Sequence, residues 1–278
     1  MTGDPSKKLA TLLKRLRHAH PPGHGEPQHP TPPDEMLELD APTRHLVFSL
    51  MLWETNTSHA RAACRKLSES FVDANELRVA FEDEIAHVIG DKYPLGLDRA
   101  RRLRATLADL FRRFHAISIA PLLELNKRDA RHQVESLEGL PPFVSARIAS
   151  FVFGAHALPV DERLRALLAD EGIADEVTSV ESVQNWLERT IPAEESHSVA
   201  ILFQVWSDEV GHVIRKDPRS AATTLKPPKP DKASPKPRPE KSSAPKADRG
   251  KPDTATSDSA KSDSAKPGGR KSSARGKA

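Results

Sequence analysis

The stretch LEGLPPFVSARIASFVFGAHALPVDERLRALL, residues 137–168, decides how the whole chain is interpreted. It begins where one predicted helix ends, turns at Gly139, and continues from Pro142 into a second, apolar helix. A loop then leads to Asp161, which opens a third helix. The order helix, glycine-containing turn, helix is typical of a helix-hairpin-helix, but it also fits an ordinary turn between two packed helices.

The turn residues fit either interpretation. In a helix-hairpin-helix the turn offers backbone N–H groups to a DNA phosphate, and the N-terminus of the next helix assists. Gly139 would permit the close approach of a phosphate. Pro141 and Pro142 suit the first turn of a helix, yet neither carries an N–H group. If the motif binds DNA, we expect the contacts to come from Gly139, Leu140, Pro141, Val144 and Arg147.

Helical periodicity extends through most of residues 35–215. Apolar residues recur at spacings of three and four, and no alternating strand pattern runs longer than a few residues. The sequence therefore predicts an all-α body of roughly ten helices that pack through apolar stripes. Residues 75–89 are predicted to form a single helix with an inner face of Leu77, Phe81, Ile85 and Val88.

Charge divides the chain into an acidic body and a basic tail. Residues 216–278 contain 17 Lys/Arg and 7 Asp/Glu, a net charge of +10. Residues 1–215 contain 25 Lys/Arg and 32 Asp/Glu, a net charge of −7. The tail consists largely of Lys, Pro, Ala and Ser, so it cannot bury enough apolar area to fold. We predict an N-terminal helix with a Pro/His-rich linker (1–34), a helical domain (35–215) and a disordered basic tail (216–278).

The tail is expected to bind nucleic acid without sequence preference, because neutralised phosphates release counterions. The alternative is a tail that only keeps the protein soluble. Since the body is acidic, a DNA-binding face on it would need a local basic patch. The candidates are the arginines at positions 99–104 together with Arg147, Arg163 and Arg165.

The composition also excludes several kinds of site. Cys64 is the only cysteine, so the chain has neither an internal disulfide nor a four-cysteine iron–sulfur cluster or cysteine-based zinc site. We expect no metal and no cofactor, although the histidines of the linker leave a metal site there as an alternative to a plain polar linker. No apolar run is long enough for a membrane span, and no signal peptide is recognisable. These features predict a cytoplasmic, nucleoid-associated protein.

The stretch 137–161 resembles the helix-hairpin-helix and following loop of the endonuclease III-like DNA glycosylases. The family pattern is Leu-Pro-Gly-Val-Gly, a lysine two residues later in bifunctional members, an apolar helix, Phe-Gly, and Val-Asp. This chain has LEGLPPF, an apolar helix, Phe153-Gly154 and Val160-Asp161. MLWETNT (51–57), GLDRARRL (96–103) and VESVQNWLERTIPAEE (180–195) resemble other family segments in the same order. The resemblance implies a two-lobed, all-α glycosylase fold over about residues 35–210.

The departures from the family pattern bear on activity. The second hairpin glycine is replaced by Pro141, and the Schiff-base lysine by Phe143, so lyase chemistry by that lysine is excluded. The cysteine cluster is missing. Glu54 stands where many members have the glutamine that fills the gap left by a flipped base, so we count it as a DNA contact. Ser49 stands where adenine-specific members have a glutamate.

Asp161 matches the aspartate on which monofunctional members depend. By resemblance it would be the catalytic acid of a monofunctional glycosylase that hydrolyses the N-glycosidic bond of a flipped, damaged base. Asp161 could equally be the N-cap of the following helix. Two other functions remain open: a non-catalytic DNA-binding or chromatin-associated protein with the same fold, and an all-α interaction protein with an unrelated tail. For the glycosylase and for the non-catalytic DNA-binding protein the partner is double-stranded DNA, and we expect a monomer.

Overall fold

A computed structural model describes residues 4–21 and 30–210, and every regular element within them is helical. Residues 22–29 of the linker and the basic tail lie outside the described residues, so the predictions for them are not examined by the structure. The all-α expectation is confirmed. The α-helices are α1 (Pro5–Ala19), α2 (Ala41–Leu52), α3 (Thr57–Ser70), α4 (Ala74–Val79), α5 (Glu82–Ile89), α6 (Gly96–Phe114), α7 (Lys127–Glu135), α8 (Pro142–Phe151), α9 (Glu162–Asp170), α10 (Val180–Thr190) and α11 (Ala193–Val210), with a 3-10 helix at Ala120–Glu124.

The first lobe consists of α2 to α8 and is built around one apolar cluster. Helix α6 shows how the sequence produces it, since Leu103, Leu107 and Leu110 share a face at spacings of four and three and are fully buried. The opposite face of α6 carries most of its arginines. Burying each such leucine stabilises the fold by roughly 1.5–3 kcal/mol, so the packed face of α6 holds the helix in the centre of this lobe.

The second lobe consists of α1 and α9 to α11. Leucines at positions 9, 12, 13 and 16 of α1 are buried in the same cluster as Leu168, Leu187 and Phe203. Helix α1 was predicted from its leucine spacing as a separate N-terminal element, but it contributes directly to this core. Ion pairs from Arg15 to Glu171 and from Arg17 to Glu195 lie along the edge of that contact.

One predicted helix is divided in two. Residues 75–89 were expected to form a single helix with Phe81 inside, and this expectation is wrong: α4 ends at Val79, α5 begins at Glu82, and Phe81 is 74 % exposed. Acidic side chains at 82–84 stabilise a new helix start, since negative charge is favoured at a helix N-terminus. The Glu84 carboxylate also accepts the Phe81 N–H, at 3.4 Å. None of the described helices is long and apolar enough to cross a membrane.

Candidate functional site

Asp161 lies where the two lobes meet, and it caps α9. Its Oδ1 accepts the N–H of Leu164 at 2.9 Å, the geometry of an N-cap. Its Oδ2 accepts the N–H of Glu54, in the loop that follows α2, at 3.2 Å. The residue is 5 % exposed. Both carboxylate oxygens thus accept backbone N–H groups, one from each lobe. This geometry is the one expected if Asp161 is the N-cap of α9.

Glu54 reaches the same helix terminus from the opposite side. Its Oε1 accepts the N–H of Glu162 at 3.0 Å, while its Oε2 is buried without a hydrogen-bond partner. The backbone at Glu54 is left-handed (φ 57°), which is uncommon for a residue other than glycine. Because Glu54 is only 6 % exposed, its side chain points into the lobe junction and does not face a surface that a DNA duplex could reach.

The two carboxyl groups share one buried site, which changes their ionisation. Burial and the nearby Asp161 carboxylate raise the pKa of Glu54 to about 8. Burial likewise raises the pKa of Asp161, although two backbone N–H donors and the Arg163 charge oppose this. Since hydrogen bonds from N–H groups favour the ionised form, we assign the negative charge to Asp161 and the proton to Glu54 at neutral pH.

Asp161 borders a small cavity between the hairpin helix α8 and α11. The cavity offers about 10 Å³ to the centre of a water molecule, enough for roughly one water and far too little for a nucleobase. Its lining residues are Phe143, Pro159, Asp161, Leu164, Ala200, Phe203, Gln204 and Ser207. The cavity beside Asp161 is therefore too small, in this structure, to serve as the base pocket that the catalytic interpretation requires.

The cavity does bring together two positions that the family resemblance links to catalysis. Phe143, at the position of the family's lysine, and Asp161 line it from different elements. Trp53 and Glu54 do not line it. The ring of Trp53 instead lies beneath the guanidinium groups of Arg102 and Arg99, whose Cζ atoms are 5.2 and 5.6 Å from the ring centroid.

Helix α11 contributes polar residues to the site that the sequence analysis did not identify. Gln204 and Ser207 are buried beside the cavity. Gln204 Nε2 donates to Asp208 Oδ1 at 2.9 Å, and the same oxygen accepts the Thr57 N–H from the first lobe at 3.2 Å. The sequence did offer a signal for these two residues. Gln204 and Ser207 are polar, lie three positions apart on the apolar side of a helix, and would need hydrogen-bond partners on a packed face.

The hairpin turn is fixed by α6. Gly139 adopts a positive φ of 84°, and a Cβ added there would lie 2.7 Å from the Arg102 carbonyl oxygen. Nη1 of Arg102 also donates a hydrogen bond to the Gly139 carbonyl oxygen, at 3.3 Å. Gly139 is therefore needed because it lies close to the backbone of α6. This contact explains the glycine without any need for a bound phosphate.

The hairpin retains few donors for a phosphate. The N–H of Glu138 donates to the buried Asp109 at 2.9 Å, and positions 141 and 142 are prolines. Among the described contacts, this leaves the N–H groups of Gly139, Leu140 and Phe143, the last in the first turn of α8. The Glu138 side chain at the turn is 63 % exposed and 3.7 Å from Arg112, so it places a carboxylate where a phosphate would approach.

The other predicted hairpin contacts are turned inward. Val144 is fully buried and Pro141 is buried, while Leu140 packs partly against the first-lobe core. Arg147 is completely buried and donates to the Pro30 carbonyl. None of these three buried side chains lies on a surface that DNA could contact in this conformation.

Only part of the expected arginine patch lies on the described surface. Arg99 and Arg163 are buried and donate to backbone carbonyls, Arg99 to those of Leu50 and Trp53 and Arg163 to that of Thr55. The remaining predicted members are exposed or partly exposed but form ion pairs, namely Arg101 and Arg104 with Glu82, Arg102 with Asp98, and Arg165 with Glu162. The predicted arginines are thus either buried against backbone carbonyls or paired with carboxylates at the surface.

The described residues, arranged in two helical lobes, share the fold of solved endonuclease III and 8-oxoguanine glycosylase/lyase structures. An endonuclease III–DNA covalent intermediate, an estranged-adenine complex, has a TM-score of 0.54 and 17 % identity, over 72 % of this chain and 85 % of that one. An 8-oxoguanine glycosylase/lyase from Clostridium acetobutylicum, in complex with double-stranded DNA, has a TM-score of 0.53 and 15 % identity, over 76 % of this chain and 71 % of that one. No protein-family model matches the chain, and no curated protein sequence matches it.

The structural likeness shows the fold alone, since the identities are only 15–17 %, and the fold predicted from residues 35–210 is confirmed. The chemistry must be argued from the site itself.

Proposed function

We propose that this protein binds DNA and has the glycosylase fold but does not excise bases. The observation that carries the proposal is the state of Asp161: both of its oxygens accept backbone N–H groups, and the cavity beside it has room for about one water. A glycosylase must instead present this carboxylate in a pocket that holds the extruded nucleotide.

Opening such a pocket would disturb the junction of the lobes. Arg163 donates to the carbonyls of Thr55 and Ser207, so it connects the first-lobe loop to α11. The carboxylate of Asp161 and that of Glu54 add the contacts described above. A buried charged group that loses its partners destabilises a protein by several kcal/mol. The polar network therefore favours a closed junction.

We assign DNA binding mainly to the basic tail. The net charge of −7 on residues 1–215 opposes a polyanion, and the arginines expected to form a basic face are buried or ion-paired. A segment with 17 Lys/Arg can neutralise several phosphates, which makes binding strongly dependent on salt and independent of sequence. The body would then follow the tail to DNA.

A second function is favoured by one observation. Phe143 and Asp161 line the same cavity. In a monofunctional glycosylase the residue at the lysine position, here Phe143, and the catalytic acid, here Asp161, would have to lie together in this way. If DNA binding separated the lobes, Asp161 could stabilise positive charge on the sugar from which a base departs.

A base-release assay distinguishes the two functions. The full chain and the Asp161→Asn variant are incubated with duplexes that each carry one damaged or mismatched base, and abasic sites are cleaved with alkali. We expect no product above the no-protein control for either chain. Product from the native chain that the Asp161→Asn variant does not form would overturn the non-catalytic proposal.

The tail's role is tested by titrating duplex DNA at several salt concentrations. Replacing eight tail Lys/Arg with Gln should weaken binding and flatten the plot of log K against log salt. A matched variant with eight tail Ser/Ala replaced by Gln should bind as the native chain does. Equal salt slopes for the native and charge-depleted chains would exclude the tail as the DNA contact.

A further inference from the structure

Arg147 is a buried cation without a matching anion. Its guanidinium is completely buried on α8, and among the described residues it forms no ion pair. One nitrogen, Nη2, donates to the Pro30 carbonyl, but Nε and Nη1 have no hydrogen-bond partner. Burial lowers the pKa of Arg147 to about 9, partly opposed by the more distant Asp208, so the group stays charged at neutral pH. Buried charged groups are usually ion-paired or fully hydrogen-bonded, as Arg163 is through backbone carbonyls, whereas Arg147 keeps two nitrogens without a partner.

Further unpaired polar atoms accompany this guanidinium. Ser150 follows three residues later on the same face of α8, and its buried hydroxyl lacks even the usual bond to the carbonyl one turn before. Across the interface, His45 on α2 has an unpartnered Nδ1. The charges of Arg147 and Arg44 and, above all, burial lower the pKa of His45 to about 4, so the imidazole is neutral and can donate from Nδ1.

Aromatic rings hold the guanidinium in place. The Cζ of Arg147 is 4.1 Å from the ring centroid of Phe151 and 5.8 Å from that of Phe48. Phe48 lies one turn after His45 on α2, so the ring and the imidazole are on the same side of that helix. The Arg147 guanidinium therefore lies beside the face of α2 that carries His45, close enough for its charge to act on the imidazole.

We propose that Arg147, Ser150 and His45 form a binding site for a small monovalent anion such as chloride. The groups without partners are N–H and O–H donors, one of them belongs to a charged guanidinium, and two apolar rings pack against that guanidinium. A water molecule would bring two hydrogens of its own to a site that has donors already. A chloride ion accepts several donors at once and supplies the missing charge. The site is separate from the Asp161 cavity, and it does not depend on the proposed function.

Anion-dependent unfolding tests the site. The melting temperature of the full chain is measured from 5 to 200 mM sodium chloride, with sodium gluconate holding the ionic strength constant. A ligand that binds only the folded state raises this temperature in proportion to the logarithm of its concentration above Kd. We expect a rise of a few degrees. An identical melting temperature at every chloride concentration would overturn the proposal.

Two serines of α8 provide a matched pair of variants. Ser150→Ala removes one proposed ligand and should raise the half-maximal chloride concentration by roughly 3- to 10-fold, the usual effect of losing one hydrogen bond to a charged group. Ser145→Ala removes a buried hydroxyl that bonds the Pro142 carbonyl at 3.0 Å, and it should leave the chloride response unchanged. All of these chains carry the same tail, so chloride binding to the tail cannot make the two variants differ. Equal responses of the two variants would therefore contradict the proposed site.

Arg147→Met should abolish the response if the variant folds. Crystals grown in sodium bromide give an independent measurement that needs no substitution. An anomalous peak within hydrogen-bond distance of the Arg147 guanidinium is expected. Electron density for water alone at that place would overturn the proposal.

Discussion

Replacing Glu54 with glutamine tests the buried carboxyl pair at the lobe junction. In the folded protein the pKa of Glu54 is raised to about 8, whereas the unfolded chain has the ordinary value of 4.5. A raised carboxyl pKa means that the folded state binds the proton more tightly. The associated stability is fully present below pH 4.5 and is lost as the pH rises towards 8. Above pH 8 no further loss comes from this group.

The magnitude follows from the two pKa values. One extra bound proton gives a slope of at most about 1.4 kcal/mol per pH unit, so the loss between pH 4.5 and pH 8 amounts to roughly 4–5 kcal/mol. Glutamine imitates the protonated acid in shape and charge and can still accept the Glu162 N–H. We therefore expect Glu54→Gln to match the native chain near pH 5 and to exceed it by several kcal/mol at pH 8.

Urea unfolding monitored by tryptophan fluorescence, at pH values from 5 to 9, measures this difference. Glu138→Gln is the control, because it removes a glutamate whose side chain is 63 % exposed at the hairpin. Its stability curve should run parallel to that of the native chain. If Glu54→Gln also runs parallel, Glu54 is not protonated in the folded protein and the description of the junction fails.

Further substitutions examine the junction and the hairpin. Asp161→Asn should lower the pKa of Glu54 towards its ordinary value, because the second largest cause of the shift is removed; side-chain carbon chemical shifts measure it, and an unchanged pKa would contradict the coupling. Gly139→Ala should destabilise the fold by roughly 1–3 kcal/mol in urea unfolding, since the new Cβ meets backbone at 2.7 Å and φ is positive; a neutral result would mean that the hairpin shifts freely away from α6. Phe143→Lys should yield no borohydride-trapped adduct with DNA, because the cavity admits about one water; a trapped adduct would show that the junction opens.

The sequence predicts the helices well wherever apolar spacing and capping residues agree. Helix α6 shows this agreement, because Leu103, Leu107 and Leu110 recur at helical spacing and are all buried. Helix α10 begins after Ser179, whose hydroxyl accepts the Ser182 N–H at 3.2 Å, as its position before an apolar run predicts. The break before α5 was missed because Phe81 matches the periodicity of a buried face, and only the acidic residues after it signal a helix start.

The candidate site was harder to predict, because burial depends on contacts between distant segments. That Asp161 begins a helix follows from its neighbours, whereas its contact with Glu54, 107 positions earlier, does not. Arginines were assigned to the surface by their charge. Arg99 and Arg163 are instead buried, where each satisfies carbonyl groups at the end of α2 or in the loop after it. No spacing rule separates an arginine that donates to such carbonyls from one that faces solvent.

The buried arginines also bear on how the acidic body would meet DNA. Arg99 and Arg163 donate their hydrogen bonds to the loop that carries Glu54, and Arg147 does so to the linker residue Pro30. A guanidinium used in this way stabilises the fold but cannot also neutralise a phosphate. In the function we propose, the cations that bind DNA come from residues 216–278, which contain 17 of the 42 Lys/Arg. Under that proposal a closed, well-packed junction does not weaken DNA binding, because the tail contacts phosphates and the junction does not.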